Sequence, residues 1–163
     1  MSGAASVLVA GIGNIFFADD GFGVAVAQRL LAQPPMPGVK VEDFGIRGVH
    51  LAYEMLEGYD LVVMVDALPA GEAPGTVSVI EADQAAAQGL PVDAHTMNPM
   101  AVLSMLADLG GTAGRVLVVG CEPAEIEERI GLSAVVAGVV DETARLVTEL
   151  VGTETAVPAG KEH

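Results

Sequence analysis

The sequence predicts a single α/β domain built on a five-stranded, mostly parallel sheet. Five short runs rich in β-branched residues indicate strands, and segments with helical periodicity lie between them. Strands that alternate with helices are typical of a parallel sheet, and 163 residues suit one such domain. The predicted strands are Ser6–Ala10, Val39–Phe44, Leu61–Asp66, Thr76–Glu81 and Arg115–Gly120.

Four segments between and after these strands predict helices. They are Asp20–Leu31, Val49–Leu56, a segment with Asn98 as N-cap and Pro99 as first residue, and a last segment capped by Ser133. The connection Ala67–Gly75 is too short for a crossover helix, so we expect the fourth strand to run antiparallel to the third. The folded domain is predicted to span residues 1–151, followed by a flexible polar tail over residues 152–163.

The composition excludes several classes of partner. Seven basic residues against 22 acidic ones give a net charge of -15, which repels nucleic acid and anionic membranes and favours cations or basic partners. The same acidity is also explained by solubility alone. A single cysteine, Cys121, rules out an internal disulfide and suits a cytoplasmic location. No apolar run approaches the length of about 20 residues needed to span a membrane, and no basic residue precedes Arg29, so we expect no signal peptide.

A glycine turn follows the first predicted strand and raises the possibility of a nucleotide. Gly11 and Gly13 match the start of the dinucleotide-binding fingerprint, but Phe16 stands where the third glycine is required. Asp19 and Asp20 follow directly, and their charges would repel a phosphate. A nucleotide-dependent enzyme therefore stays a disfavoured alternative.

Three side chains that bind metals are predicted to meet at one edge of the sheet. Asp20 follows the first strand and Asp66 ends the third, so their carboxylates converge if those two strands are neighbours. His95 lies in the long connection after the fourth strand, three residues before the helix start at Asn98. Two carboxylates and an imidazole suit a first-row divalent ion such as nickel, zinc or iron.

Simpler roles are open for each of these residues. Asp19 or Asp20 alone is a common helix N-cap, Asp66 suits the cap of a turn, and His95 suits an exposed loop. Cys121 follows the fifth strand, where it is either a thiol nucleophile near His95 or a small apolar residue that fills the core.

Taken together, the motifs resemble those of the hydrogenase maturation endopeptidases, which trim the C-terminus of the [NiFe]-hydrogenase large subunit. The resemblance covers Val7 to Leu150, and it depends on the order and spacing of short motifs. They are Gly11-x-Gly13-Asn14 with the acidic pair and Gly23, Val65-Asp66-Ala67, Asp93-x-His95, Gly120-x-Glu122-Pro123 and Gly131-Leu132-Ser133.

This resemblance implies a twisted five-stranded sheet between helices, and a monomer. It places the family's metal-contacting residues at Asp20, Asp66 and His95, and it implies that the nickel arrives with the client. The implied activity is removal of a C-terminal peptide from the nickel-loaded large-subunit precursor. A module that recognises the metal as an assembly checkpoint or chaperone, without cleaving, is the alternative. Asp19 is expected to shape the loop.

Two departures from the family pattern affect the expected client. Some members carry Glu at the position of Asp20, whose side chain is shorter. The family's Asp-Gly-Gly-Thr-x-Gly stretch, which is implicated in substrate choice, corresponds here to Asp43–Gly48, with Ile46 in place of the threonine. We therefore expect a different subgroup of hydrogenase as client. The residues expected to contact it are Phe44, Ile46, Arg47 and His50.

Overall fold

The computed structural model describes residues 6–87 and 98–155, and it shows one five-stranded sheet with the strand order β2-β1-β3-β5-β4. The strands are β1 (Val7–Ile12), β2 (Val39–Gly45), β3 (Leu61–Ala67), β4 (Val77–Glu81) and β5 (Arg115–Cys121). Each begins within one residue of its predicted start. The central strands β1 and β3 are buried along their whole length, as expected for parallel strands covered on both faces.

The predicted antiparallel strand is confirmed, but its neighbour in the sheet is β5. Strands β1, β2, β3 and β5 are parallel, and β4 pairs antiparallel with β5 alone. The connection after β3 passes over the end of β5, where the Leu68 backbone N–H donates to the Cys121 carbonyl at 2.9 Å. β4 therefore forms the outer edge of the sheet and runs opposite to β3 without pairing with it.

Helices cover both faces of the sheet. They are α1 (Phe22–Leu31), α2 (Gly48–Met55), α3 (Gln84–Ala87), α4 (Pro99–Asp108), α5 (Ala134–Ala137) and α6 (Val140–Thr155). Alternate residues of β1 enter two separate cores: Val7 and Val9 pack in the core that includes α1 and α6, and Leu8 packs in the core that includes α2 and α4. None of the helices in the described ranges is long and apolar enough to cross a membrane.

Two of the predicted helices are divided. The segment predicted to start at Asp20 begins within a 3₁₀ turn, Ala18–Gly21, which is followed by α1. The last predicted helix is split into α5 and α6, since α5 ends at Ala137 with Gly138 as its C-cap. Helix α6 continues to Thr155, so it includes the first four residues of the predicted tail, and the remainder of that tail, 156–163, lies outside the described residues.

The cap predicted for α4 is confirmed. The Asn98 side chain accepts a hydrogen bond from the Ala101 backbone N–H at 2.9 Å, and Pro99 is the first helical residue. Proline is favourable there because its missing N–H would have no partner inside the helix.

Candidate functional site

The carboxyl ends of β1 and β3 meet at one edge of the sheet and bring Asp20 and Asp66 together. β1 pairs directly with β3, and the convergence of the two carboxylates was predicted on the condition that these strands are neighbours. Gly13 lies between the two acids: a Cβ there would be 1.9 Å from the Asp20 carbonyl oxygen and 3.7 Å from Asp66 Oδ1. The φ of Gly13 is 138°, so both conformation and space require glycine at this position.

Asp20 is half-buried and folds back onto the glycine turn. Its Oδ2 accepts a hydrogen bond from the Asn14 backbone N–H at 2.9 Å. Burial raises the pKa of Asp20, and the Asn14 N–H opposes this shift. In a nucleotide-binding fold such loop N–H groups would face a phosphate. Here one of them is occupied by a carboxylate of the protein itself, which argues against a nucleotide.

Asp66 is the more deeply buried carboxylate, with only 2% of its surface exposed. Burial raises its pKa well above the ordinary value, and the charge of Asp20 raises it further. A hydrogen bond from the Ala67 backbone N–H to Oδ1 at 2.8 Å acts in the opposite direction. Two carboxylates that disfavour each other's ionisation would both be stabilised by a cation between them.

Only two of the three predicted metal ligands, Asp20 and Asp66, lie in the described residues. Within 6–87 and 98–155 no group of three or more His, Cys, Asp and Glu side chains is arranged to hold a metal. His95, the predicted third ligand, lies outside these ranges, so its position stays a prediction. The two carboxylates supply hard oxygen donors, and these two residues therefore fit a divalent metal ion.

Asp19, next to Asp20 in sequence, has an entirely different environment. It is fully buried, and its carboxylate accepts four hydrogen bonds: from the backbone N–H groups of Ala124, Glu125 and Ser133, and from the Ser133 hydroxyl. Burial raises the pKa of Asp19, but these hydrogen bonds outweigh burial and lower it overall. Asp19 therefore joins two loops.

The helix-cap interpretation fails for both acids and, in part, for Ser133. Phe17 is the N-cap of the 3₁₀ turn and Gly21 that of α1, and neither acid caps a helix. Ser133 occupies the N-cap position of α5, as predicted, but it makes no side-chain cap bond, and its hydroxyl donates to Asp19.

Backbone hydrogen bonds join the same two loops. The Ala18 N–H donates to the Arg129 carbonyl at 2.7 Å, and the Arg129 N–H donates to the Phe16 carbonyl at 3.0 Å. Ala18 has a φ of 51°, an unfavourable conformation for a residue with a Cβ. Contacts on both sides of Ala18 hold this strained backbone, and it directly precedes the acidic pair.

Glu122, part of the Gly-x-Glu-Pro motif, shapes another loop beside the site. Its Oε1 accepts hydrogen bonds from the backbone N–H groups of Ala70 at 2.7 Å and Glu72 at 3.1 Å. The segment that leaves β3 just after Asp66 is therefore fixed by a carboxylate from the end of β5.

The predicted client-contact residues divide into exposed and buried groups. Ile46 is 63% exposed, and Arg47 and His50 are also exposed. Phe44 is buried at 1% exposure, so its prediction as a surface residue is wrong: it packs in the core with α2. Arg47 lies over the Phe44 ring, with its guanidinium carbon 5.7 Å from the ring centroid.

Cys121 belongs to the core, and we expect it to have no catalytic role. Its side chain is fully buried, and burial, with the charges of Asp19 and Glu122, raises the pKa of the thiol to about 11. A thiol with that pKa holds almost no thiolate at pH 8. Mass spectrometry should therefore show no labelling by a thiol reagent in the native protein and full labelling in denaturant. Rapid native labelling would contradict this assignment.

Comparisons with known proteins agree with this fold. A family model described as hydrogenase maturation protease matches residues 24–150. The hydrogenase expression/formation protein HupD of Rhodobacter capsulatus is 33% identical over 139 residues, which are 83% of this chain and 66% of that relative. The chain spans 60% to 78% of the length of the first four curated relatives.

Two solved structures show the same fold. The [NiFe] hydrogenase maturation protease HycI from Thermococcus kodakarensis KOD1 has a TM-score of 0.67 and 27% identity, covering 92% of this chain and 94% of that one. The hydrogenase maturating endopeptidase HybD from E. coli has a TM-score of 0.73 and 23% identity, covering 91% and 93%. With these likenesses and a family model that matches most of its residues, the chain belongs to the hydrogenase maturation protease family.

Proposed function

We propose that this protein is an endopeptidase that removes a C-terminal peptide from the nickel-loaded large-subunit precursor of a [NiFe] hydrogenase. Membership of the family supports the reaction class. The observation that carries the assignment of the site is the juxtaposition of Asp20 and Asp66 at the carboxyl edge of the sheet, where the charge of Asp20 raises the pKa of Asp66. Functional sites of open α/β sheets lie at this edge.

The nickel belongs to the client in this proposal and is therefore part of the substrate. Asp20 and Asp66 would contact it together with His95, and an unloaded precursor would lack the cation that the two carboxylates require. A metal near the scissile peptide polarises its carbonyl or activates water. Asp20 is the more exposed acid and its pKa is raised, so it is suited to accept a proton.

The setting of the reaction is part of the same proposal. We place the protein in the cytoplasm, where its single cysteine stays reduced, and we take it to act as a monomer on one precursor at a time. The negative charge of the chain suits a client that is not nucleic acid.

Intact-mass spectrometry of a large-subunit precursor from the same genome tests the function. We expect a discrete C-terminal mass loss that requires both this protein and prior nickel loading of the precursor. His95→Ala and Asp66→Ala should abolish it, because each removes a proposed metal contact. Asp60→Asn is the control, since Asp60 precedes β3 at the opposite end of the strand, where its carboxylate accepts a hydrogen bond from the Ser6 N–H.

A different outcome would identify a different function. A precursor that binds in a nickel-dependent way, yet keeps its mass after long incubation, would contradict the endopeptidase and support the non-cleaving checkpoint module. A mass loss that is independent of nickel would contradict the proposed requirement for a nickel-loaded precursor.

A further inference from the structure

A second surface beside the acidic pair has the features of a binding site. A groove of about 400 Å³ lies between the loop after β1 and the loop after β5, and we call it the Phe16 groove. It is lined by Asn14, Phe16, Phe17, Glu128, Arg129 and Ile130. Its volume falls in the range of ligand sites on proteins.

The walls of the Phe16 groove are apolar and exposed. Phe16 is 57% exposed and Ile130 is 70% exposed, and Phe17 beside them is exposed at 40%. The whole chain contains four phenylalanines, so half of them are consecutive exposed residues in this one groove. Clustered large apolar side chains in contact with water mark an interaction site, whereas isolated ones do not.

The groove is held in shape before anything binds. Phe16 and Ala18 exchange backbone hydrogen bonds with Arg129, and the Asp19 N–H donates to the Glu125 carbonyl at 3.0 Å. The four hydrogen bonds to the buried Asp19 carboxylate hold the same two loops together. An occupant therefore does not have to order these loops, which lowers the entropic cost of binding.

The charge at the rim of the groove is acidic. Arg129 forms ion pairs with Glu125 and Glu127, so its positive charge is balanced within its own loop. Glu128 lies on the groove wall, and in the part of the chain that the structure describes no ion pair is formed by it. In a chain with a net charge of -15, this rim favours a basic side chain.

The groove is continuous with the acidic pair. Asn14 lines the groove, and its backbone N–H donates to Asp20 Oδ2 at 2.9 Å. A polypeptide that lies in the groove is thus separated from Asp20 by one residue of the loop. Asn14 and Phe16 also line a neighbouring groove that contains Ile46, so the Phe16 groove adjoins the client surface predicted from the sequence.

We propose that the Phe16 groove binds an extended segment of the large-subunit precursor that presents an apolar side chain and a neighbouring Lys or Arg. The apolar side chain packs between Phe16 and Ile130, and the cation faces Glu128. This inference rests on the proposed function, since it names how the same client is held while its metal contacts Asp20 and Asp66.

Initial-rate processing of the nickel-loaded precursor, together with its binding by biolayer interferometry, tests the groove. For Phe16→Ser and Ile130→Ser we expect KM and Kd to rise by about tenfold, the cost of losing one buried apolar anchor, with kcat within about twofold. Leu31→Ser is the control, because Leu31 is 51% exposed at the far end of α1. Unchanged KM and Kd in both groove variants would overturn the inference.

The charge of the rim is tested with a matched pair of reversals. Glu128→Lys should raise KM by about tenfold and weaken its dependence on salt, because an attractive pair becomes repulsive. Glu149→Lys makes the same change of net charge on the exposed face of α6 and should leave KM unchanged. Equal effects of the two reversals would show that only net charge matters and would overturn the role of Glu128.

Two further results separate this inference from the function on which it rests. If the wild type binds the precursor without cleaving it, the proposed endopeptidase function is wrong. The Kd values of the groove variants still decide whether the groove binds the client. If sedimentation velocity shows a wild-type dimer that Phe16→Ser dissociates, the groove is an interface between two copies of this chain, and the inference is wrong.

Discussion

Asp66→Asn should abolish processing and at the same time make the isolated protein more stable. We expect the processing rate to fall by about 100-fold or more, because the variant loses one of the two carboxylates that face the client's metal. We expect the free energy of unfolding at pH 8 to rise, because burial and the charge of Asp20 make the ionised form of Asp66 unfavourable in the folded protein.

The direction of the stability change follows from the pKa of Asp66. Burial and the charge of Asp20 raise that pKa in the folded state, so the folded protein holds its proton more tightly than the unfolded chain does. Stability therefore falls as pH rises from the unfolded pKa, about 3.9, through the higher folded value. Asparagine has no charge to desolvate and keeps an oxygen that accepts the Ala67 N–H bond.

Thermal unfolding at pH 4 and at pH 8 measures this effect. The gain in Tm from Asp66→Asn should be small at pH 4, where Asp66 is protonated in wild type, and full at pH 8. Asp60→Asn, at the other end of the same strand, should show no gain at either pH. A loss of stability at pH 8 would mean that the buried Asp66 carboxylate is stabilised by groups other than the Ala67 N–H.

The local signals in the sequence correctly predicted much of this architecture. Five apolar, β-branched runs located the strands, and their order with the intervening helices placed Asp20 and Asp66 at the same edge. The Asn98 cap was also predictable, because the hydrogen bond that the Ala101 N–H donates to the Asn98 side chain is formed within one helical turn. Each of these features depends on residues that are close in sequence or on the general rules of parallel sheets.

The features that could not be predicted depend on contacts between distant residues. Asp19 and Ser133 are 114 positions apart, and nothing local distinguishes this buried Asp19 from its half-buried neighbour Asp20. Phe44 lies in the motif expected to contact the client, yet near the end of β2 its side chain is buried in the core, with Arg47 over its ring. The pairing of β4 with β5 likewise depends on how the connection after β3 crosses the sheet.

Asp19 and Asp66 are both buried carboxylates, but their surroundings affect ionisation in opposite ways. Asp66 accepts one hydrogen bond from a described residue and its pKa is raised, so its ionised form is unfavourable until a cation arrives. Asp19 accepts four hydrogen bonds and its pKa is lowered, so its ionised form is stabilised by the fold itself. The same conservative substitution should therefore have opposite effects on stability at the two positions.

Asp19→Asn should destabilise the protein by about 3 kcal/mol, which corresponds to a fall in Tm of about 6–12 °C for a chain of this size. Every neighbour of the Asp19 carboxylate in the four bonds is a donor. The amide of asparagine would place its own N–H donors against one of them, so at least one buried donor would lose its partner. Ser133→Ala, which removes one of the four bonds, should cost about 1 kcal/mol.

The dependence of this effect on pH distinguishes a lost carboxylate from a general packing defect. Because the folded pKa of Asp19 is lowered, its contribution is present above the unfolded pKa of about 3.9 and is lost as pH falls through the folded value. The difference in Tm between wild type and Asp19→Asn should therefore be full at pH 7 and shrink below about pH 4, in the opposite sense to Asp66→Asn. A difference that is constant over this range would show that the charge of Asp19 does not hold the two loops together.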